Sequence, residues 1–496
     1  MFFLSLHSDY KFLVEEDCMT RRRFALLSLV FLLTLTVQGQ RKELHILAVN
    51  DIHAAIEAFP KLAAITDSLR ALYPSLLVFS AGDNRTGNPI SDMYEINTYP
   101  MVALMNQVGF DATTLGNHDF DVRSLPPLMA YSNFSYICAN VFPADTAGLH
   151  IVPTKVFDVD GLKVGVIGVV EINSQGRPQT HPDNVRDIRF SQPKKTIAKY
   201  ERFSRHCDAT ILLSHLGYTN DLDVAENNPW IDVIIGGHTH TQLTDEEPLH
   251  NGVLITQNSN KLPMATHITL AVKDGRVVGK KAEYINVKTR SSKNRLVEAM
   301  VQFFSKNPCF ERIVAQAAEP FKKKDDLNFL MCDAFLEEAG GEVSIVNNGG
   351  VRLDSLSAGT ITMKEVLSMD PFYNETIVME LTGEDILKLL TVYSRGSLYH
   401  LPRVGGLLCE AIVDKADEHK DRLKRIRLKT LDGQDIDLEK TYKVITNGYM
   451  ASMSQSIIDK AYHSINIQTA KLLTHYLEKQ GTVRPHGTGR LIVIEE

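Results

Sequence analysis

Short apolar runs that each end in a polar, turn-rich cluster recur along the first half of the chain. Glu43–Val49 leads into Asn50-Asp51-Ile52-His53, and Ser75–Ser80 into Ala81-Gly82-Asp83-Asn84. Asp111–Leu115 leads into Gly116-Asn117-His118-Asp119. Ala209–Leu213 is followed by Ser214-His215-Leu216-Gly217, and Ile231–Ile235 by Gly236-Gly237-His238-Thr239-His240. Leu162–Val170 is one more such run. Brief apolar segments bounded by turn residues read as buried strands. Helix-patterned stretches lie between them at Phe59–Ala71, Tyr99–Val108 and Pro193–His206. Alternating strands and helices predict an α/β domain, and such domains carry their sites just past the carboxyl ends of the strands.

The clusters are rich in metal-ligand chemistry. Taken singly, each reads as a solvated or helix-capping group. Taken together they place Asp51, His53, Asp83, Asn117, His215, His238 and His240 at strand ends of one domain. Carboxylate, imidazole and amide without thiolate suit Zn²⁺, Mn²⁺, Fe²⁺ or Co²⁺ and argue against a structural zinc site. The set is too large for one ion and suits two divalent metal ions sharing a carboxylate, as in hydrolytic centres where the cations polarise a phosphoryl oxygen and acidify a water. The formal net charge of −7 leaves no basic footprint for a nucleic-acid partner. Six cysteines in 496 residues do not make a disulfide scaffold, and no pairing is assigned.

Two other regions complete the layout. Arg21-Arg22-Arg23 precedes an uncharged run from Phe24 to Val37 that is shorter than a membrane span, with Gly39 after it. These are the parts of a cleavable export signal, with Met19 a candidate true start; a buried core helix or an N-terminal anchor is the alternative. Near residue 285 the pattern changes. Residues 292–319 read as largely helical, and Lys322-Lys323-Lys324-Asp325-Asp326 makes a charged break. A second unit then follows, with a helix at 327–339, a strand at Glu342–Val346, a glycine turn at Asn347–Gly350 and strands at Thr376–Leu381, Gly406–Val413 and Tyr442–Thr446. The expected organisation is a signal region at 1–39, a metal domain at 40–285, a linker with a helix at 286–326 and a substrate domain at 327–496.

The order and spacing of the five clusters resemble calcineurin-like metallophosphatases, and more closely the secreted bacterial 5′-nucleotidase and UDP-sugar hydrolase family. The resemblance covers nearly all of the chain after the signal region. It implies a four-layer β-sandwich flanked by helices, linked by a helix to a smaller α/β recognition domain. It implies that Asp51, His53, Asp83 and His240 hold one metal and that Asp83, Asn117, His215 and His238 hold the other, with Asp83 bridging. His118 and Asp121 would be the catalytic pair, His118 stabilising the transferring phosphoryl and leaving groups and Asp121 orienting its ring. In the second unit, Asn347-Asn348-Gly349-Gly350-Val351-Arg352 is similar to the family's NGGxR motif, implying substrate contacts from Asn348, Gly350 and Arg352. Asp370-Pro371-Phe372-Tyr373-Asn374 is similar to its PFxN motif. There Phe372 would stack on a base whose edge bonds Asn374, with Tyr449 as the opposite aromatic. The implied reaction is release of phosphate from a small nucleotide by hydroxide formed at the metals, outside the cytoplasm.

The chain departs from the family pattern in places. Asp119 stands where many relatives carry Glu, Ala54 where glycine is usual, and His240 where some carry Gln. Met453-Ser454-Gln455 replaces a Gly-Gly-Asp whose aspartate binds ribose hydroxyls, so Gln455 is the expected diol ligand, without charge. The family's substrate-holding arginines near the start of this unit have no counterpart, and Lys322–Lys324 lie there instead. These departures leave a 2′,3′-cyclic nucleotide, a nucleotide sugar or a non-nucleotide phosphoester as alternative substrates. A non-catalytic ligand-binding protein is the alternative from another class. The family's second domain rotates on its linker, which makes 292–319 the expected hinge.

Overall fold

The computed structural model of the chain describes residues 41–121, 125–246, 249–486 and 489–496. The signal region expected at 1–39 lies outside the described residues. Lys42–Val49 shows why the first domain is a sandwich. Leu44, Ile46 and Ala48 point to one side and Leu47 and Val49 to the other, and all are buried. A strand apolar on both faces must be covered on both. Leu44, Ile46, Ala48 and Phe79 pack against Val164, Val166, Ile211, Leu213 and Val233 of a second sheet. Leu47 and Val49 pack instead under the helices Phe59–Leu72 and Tyr99–Val108. The second sheet repeats the pattern, with Ile167, Val169, Leu212 and Ile234 turned to its own outer helical layer. The result is helix, sheet, sheet, helix, as expected.

One sheet is seven-stranded, in the order Arg276–Asn286, Met264–Lys273, Lys42–Val49, Leu77–Ser80, Ala112–Thr113, Ser135–Ile137, Ile151–Val152. The other is five-stranded, in the order Leu254–Thr256, Val233–Gly236, Ala209–His215, Leu162–Val170, Thr154–Val159. Lys42–Val49, Leu77–Ser80 and Ala112–Thr113 are parallel neighbours, as are Leu162–Val170, Ala209–His215 and Val233–Gly236. Their carboxyl ends emerge along one edge of the sandwich, which gathers loops distant in sequence.

The segment 292–319 differs from its helical reading. The helix runs only from Arg295 to Phe304, started by Asn294, whose side chain accepts from the Val297 amide at 3.1 Å. Asn307-Pro308 stops it, because proline lacks the donor and disfavours a helical residue before it. Ile313–Ala317 is a strand, antiparallel to Gly359–Thr362 and parallel to Thr482–Val483. Val314, Ala315 and Ala317 sit in the core of the second unit. Pro193–His206 is likewise broken, into Pro193–Ile197, a 3₁₀ turn and Glu201–Ser204.

The second unit centres on a five-stranded sheet ordered Arg403–Gly405, Val343–Val346, Thr441–Asn447, Glu375–Thr382, Tyr462–Gln468, with Lys324–Ala339 packed on it. Leu367 and Ala470 from this unit join the helical core of the first, so the two meet through apolar contact. Cys138, Cys207, Cys309, Cys332 and Cys409 are all free thiols. Among the described residues no helix is long and apolar enough to cross a membrane.

Candidate metal centre and the cavity beside it

The five strand-end loops converge. Asp51, Asp83 and His215 form one group whose ligand atoms lie within 4.8 Å of one another, and Asp51, His53 and His240 form another. His215 Nε2 is 3.2 Å from Asp83 Oδ2, His240 Nε2 is 3.3 Å from Asp51 Oδ1, and His53 Nε2 is 3.9 Å from both Asp51 Oδ1 and Asp83 Oδ2. Asn117 Oδ1 and His238 Nδ1 are 3.0 Å apart on the adjoining side. The loops are tied to one another through their backbones: the Asp51, His53 and Ala54 amides donate to the carbonyls of Gly82, Asp83 and Asn84.

Local conformation turns these side chains inward. Asp51, His53, Asp83, His238 and His240 all have positive φ, from 47° to 78°, where non-glycine residues are uncommon. Gly116 meets a different need, since a Cβ there would collide with Asp83 Oδ1. Asp119 accepts from the amides of Asp83 and Gly116 at 3.0 and 2.8 Å, so it fastens two of the loops together. Burial and the neighbouring Asp83 charge push its carboxyl up to about 6.

The donors fit divalent cations. Asp51 and His215 are fully buried and Asp83 is 1% exposed. Burial alone would raise the Asp83 pKa, but His215, His118 and His53 outweigh it and hold the carboxyl well below its usual range. Burial opposes a charge on His215, yet Asp83 and Asp51 push it up to about 10. His215 Nδ1 lies 2.7 Å from the Ala81 carbonyl, which leaves the buried Nε2 facing the carboxylates, 3.2 Å from Asp83 Oδ2. His53 Nδ1 lies 3.1 Å from the Thr86 carbonyl, which likewise directs Nε2 inward. Such bonds at the far nitrogen are how proteins orient metal-binding imidazoles.

His118 lies against this cluster; its ring forms a third close group with His53 and Asp83. Its Nδ1 is 2.7 Å from Asp121 Oδ2, and its amide donates to Asp83 Oδ1 at 2.8 Å. Burial disfavours the imidazolium, but Asp121 and Asp83 overcome it and raise the pKa.

A cavity of about 870 Å³ opens on the cluster and is lined by both domains. Asp83, Asn117, His118, Asp121, His238 and His240 form its floor, while Asn348, Gly350, Arg352, Phe372, Asn374 and Tyr449 line it from the second domain. The Phe372 and His118 ring centres are 6.1 Å apart, and the Arg352 guanidinium is 6.0 Å from the Phe372 ring. Arg352 Nη2 reaches His53 Nδ1 at 2.8 Å.

Gln455 is not brought to this cavity. Gly448–Ile458 is one continuous helix, and Gln455 is exposed on it. The Asn447 side chain accepts from the Met450 amide at 2.8 Å and starts the helix; Met453 and Ser454, where glycines would break it, carry it onward. Lys322–Lys324 do not line the cavity either. Lys324 is packed beside Arg352 and Asp354, where burial pushes its amine down to about 8. Sequence reasoning missed Gln179, Tyr393, Arg395, Tyr399 and His400, which also line the cavity. They occupy no strand-end cluster and carry no motif.

Residues 44–242 match the family described as calcineurin-like phosphoesterase, and residues 306–458 match the 5′-nucleotidase C-terminal domain. The trifunctional nucleotide phosphoesterase protein YfkN of Bacillus subtilis (strain 168) is 24% identical over 90% of this chain, which spans 35% of that longer protein. Protein UshA of Yersinia enterocolitica is 25% identical, covering 82% of this chain and 83% of its own length. The crystal structure of a 5′-nucleotidase precursor from Thermus thermophilus has the same fold, with a TM-score of 0.78 over 92% of this chain and 100% of that one at 22% identity.

Proposed function

The chain belongs to the metallophosphoesterase family that joins a calcineurin-like phosphoesterase domain to a 5′-nucleotidase C-terminal domain, and from this we propose that it is an exported 5′-nucleotidase. The net reaction joins a water oxygen to phosphorus and breaks the phosphorus–oxygen ester bond, giving a nucleoside and inorganic phosphate. The observation that carries this reading is a cavity in which the buried carboxylate–imidazole cluster and an aromatic–arginine wall face each other.

The ligand roles are proposed as two sets. Asp51, His53, Asp83 and His240 hold one divalent ion, and Asp83, Asn117, His215 and His238 the other, with Asp83 shared. When bound, the ions supply Lewis-acid polarisation of the phosphoryl oxygens and a water acidic enough to react near neutral pH. The chain's own residues do the remainder. Asp121 holds His118 by Nδ1, so the imidazolium presents Nε2 to the cavity and can deliver a proton to the departing alkoxide. Arg352 offers a planar guanidinium suited to phosphate oxygens. Phe372 and Tyr449 offer faces for a base, and Asn374 a donor and acceptor for its edge. Export rests on the basic start and apolar run ahead of residue 40.

A substrate panel on protein reconstituted with Mn²⁺ or Zn²⁺ tests the reading. AMP and UMP are expected to be cleaved with higher kcat/KM than p-nitrophenyl phosphate. Inert nucleotides alongside a cleaved aryl phosphate would remove the nucleotide assignment and keep the hydrolase. Fewer than one tightly held metal per chain would instead favour a binding protein.

A further inference from the structure

The cavity contains a second cationic position away from the metal ligands. Arg395 follows the helix Gly383–Ser394, in the left-handed conformation with φ 52°, and lines the cavity as an exposed side chain. With the Gln179 amide turned so that its carbonyl faces the second domain, that oxygen accepts from both terminal nitrogens of Arg395, at 2.5 and 3.1 Å. The amide is a neutral partner, and among the described residues no carboxylate lies within 4 Å of the guanidinium. Its surroundings are Tyr449, Tyr393, His400 and the buried Glu171, all of which sense its charge. Arg177, from the first domain, also lies within electrostatic reach of Tyr449 and has a buried Nε without a partner.

Arg352 has a different neighbourhood. It lies 2.8 Å from His53 Nδ1, and its charge is felt by His53 and His118. The two arginines thus mark two separate positions in one cavity. The helix that carries Gln455 away from the cavity also leaves no acidic group there to accept a sugar diol from that segment. A volume of about 870 Å³ is at the upper end for small-molecule sites, so there is room for a substrate reaching from one arginine to the other.

We infer that Arg395, with Gln179, Tyr393 and Tyr449, forms a subsite for a second anionic group carried on the leaving-group portion of the substrate. The preferred substrate class is a doubly anionic phosphomonoester, such as a nucleoside bisphosphate, whose reacting phosphate lies at the metal centre and whose other anion lies at Arg395. This rests on the phosphoester hydrolase reading above and narrows its substrate.

Two matched pairs test it: adenosine 3′,5′-bisphosphate against AMP, and fructose 1,6-bisphosphate against fructose 6-phosphate. In at least one pair the doubly anionic member is expected to have the higher kcat/KM by about tenfold, the scale of a charge-assisted hydrogen bond. Arg395→Gln should bring that ratio close to one, and Arg395→Lys should restore part of it. Ratios near one in both pairs for the unaltered protein would overturn the subsite. So would an Arg395→Gln variant that lowers both members of a pair equally, since that describes a latch between Gln179 and Arg395. Sugar phosphates outpacing nucleotides would sink only the nucleotide reading, because the ratio within each pair is unaffected by it.

Discussion

Five candidate ligands with left-handed backbones are costly, at about 1–3 kcal/mol for each residue held in a sparsely populated region. Asp51, His53, Asp83, His238 and His240 persist there because the loops they sit on brace one another, through Asp119, the Gly82 carbonyl and the His238 amide on Asp51. His118 differs from them in kind. Its backbone is ordinary, its amide donates to Asp83, and its ring is fixed by Asp121 rather than by the carboxylate pair. His118→Ala is therefore expected to lower kcat by about 10²–10⁴-fold while leaving metal content unchanged, as checked by elemental analysis beside steady-state kinetics. A parallel loss of metal would make His118 a ligand instead. The residues that converge here were legible in sequence because each follows a strand, and parallel strands deliver their ends to one edge. Arg395 was not legible. It is a helix-terminating arginine with no motif around it, and only the meeting of two domains places it opposite Gln179.

Two helices carry consequences of their own. Tyr218–Asn227 buries Asp221, whose Oδ1 accepts from Ser214 Oγ at 2.5 Å while Oδ2 has no partner. Burial pushes its carboxyl up to about 8. A carboxyl whose pKa is higher in the folded than in the unfolded chain binds more protons when folded, so stability falls as pH rises from about 4 towards 8. Asp221→Asn keeps the shape without the titration. It is expected to raise the melting midpoint at pH 8 by about 3 °C or more and by a clearly smaller amount at pH 5, read by calorimetry. The opposite ordering would mean that Asp221 is charged in the folded protein. The helix Gly448–Ile458 makes a kinetic prediction: Gln455→Ala should change kcat/KM for AMP less than about twofold, because the exposed residue does not line the cavity. A tenfold loss would show that this helix opens when substrate binds. Neither helix is among the helical stretches read from the sequence, and the segment around Met453-Ser454 reads there only as a departure from the family's Gly-Gly-Asp. The strand Ile313–Ala317 was hidden as well. Five residues of mixed pattern beside a strong helix carry little period of their own, and their pairing partners lie at 359–362 and 482–483.

The whole molecule couples two cores through one cavity. The first domain supplies every member of the ligand cluster, and the second supplies Arg352, Phe372, Tyr449 and Arg395. Leu367 and Ala470 pack into the first domain's helical core, and the Lys261 amine donates to the Arg352 carbonyl at 2.8 Å, so cavity and interface are built from the same contacts. Metal binding should therefore read out as stability of the first domain. A cluster assembled from loops as far apart as Asp51 and His240 does not exist in the unfolded chain, so ions bind the native state alone and stabilise it by mass action. Free metal at a thousand times the dissociation constant contributes about 4 kcal/mol, which for a domain of this size is about 8–16 °C in melting midpoint. Trp230 is the chain's only tryptophan and packs against the outer core of the five-stranded sheet, so its fluorescence follows this domain. Chelation is expected to lower the Trp230 transition by that amount, and Mn²⁺ to restore it. Asp83→Ala should flatten the response, because it removes the carboxylate both proposed sites share. A variant that still gained the full shift would place the stabilising ion elsewhere, and the shared-carboxylate centre would then have to be abandoned.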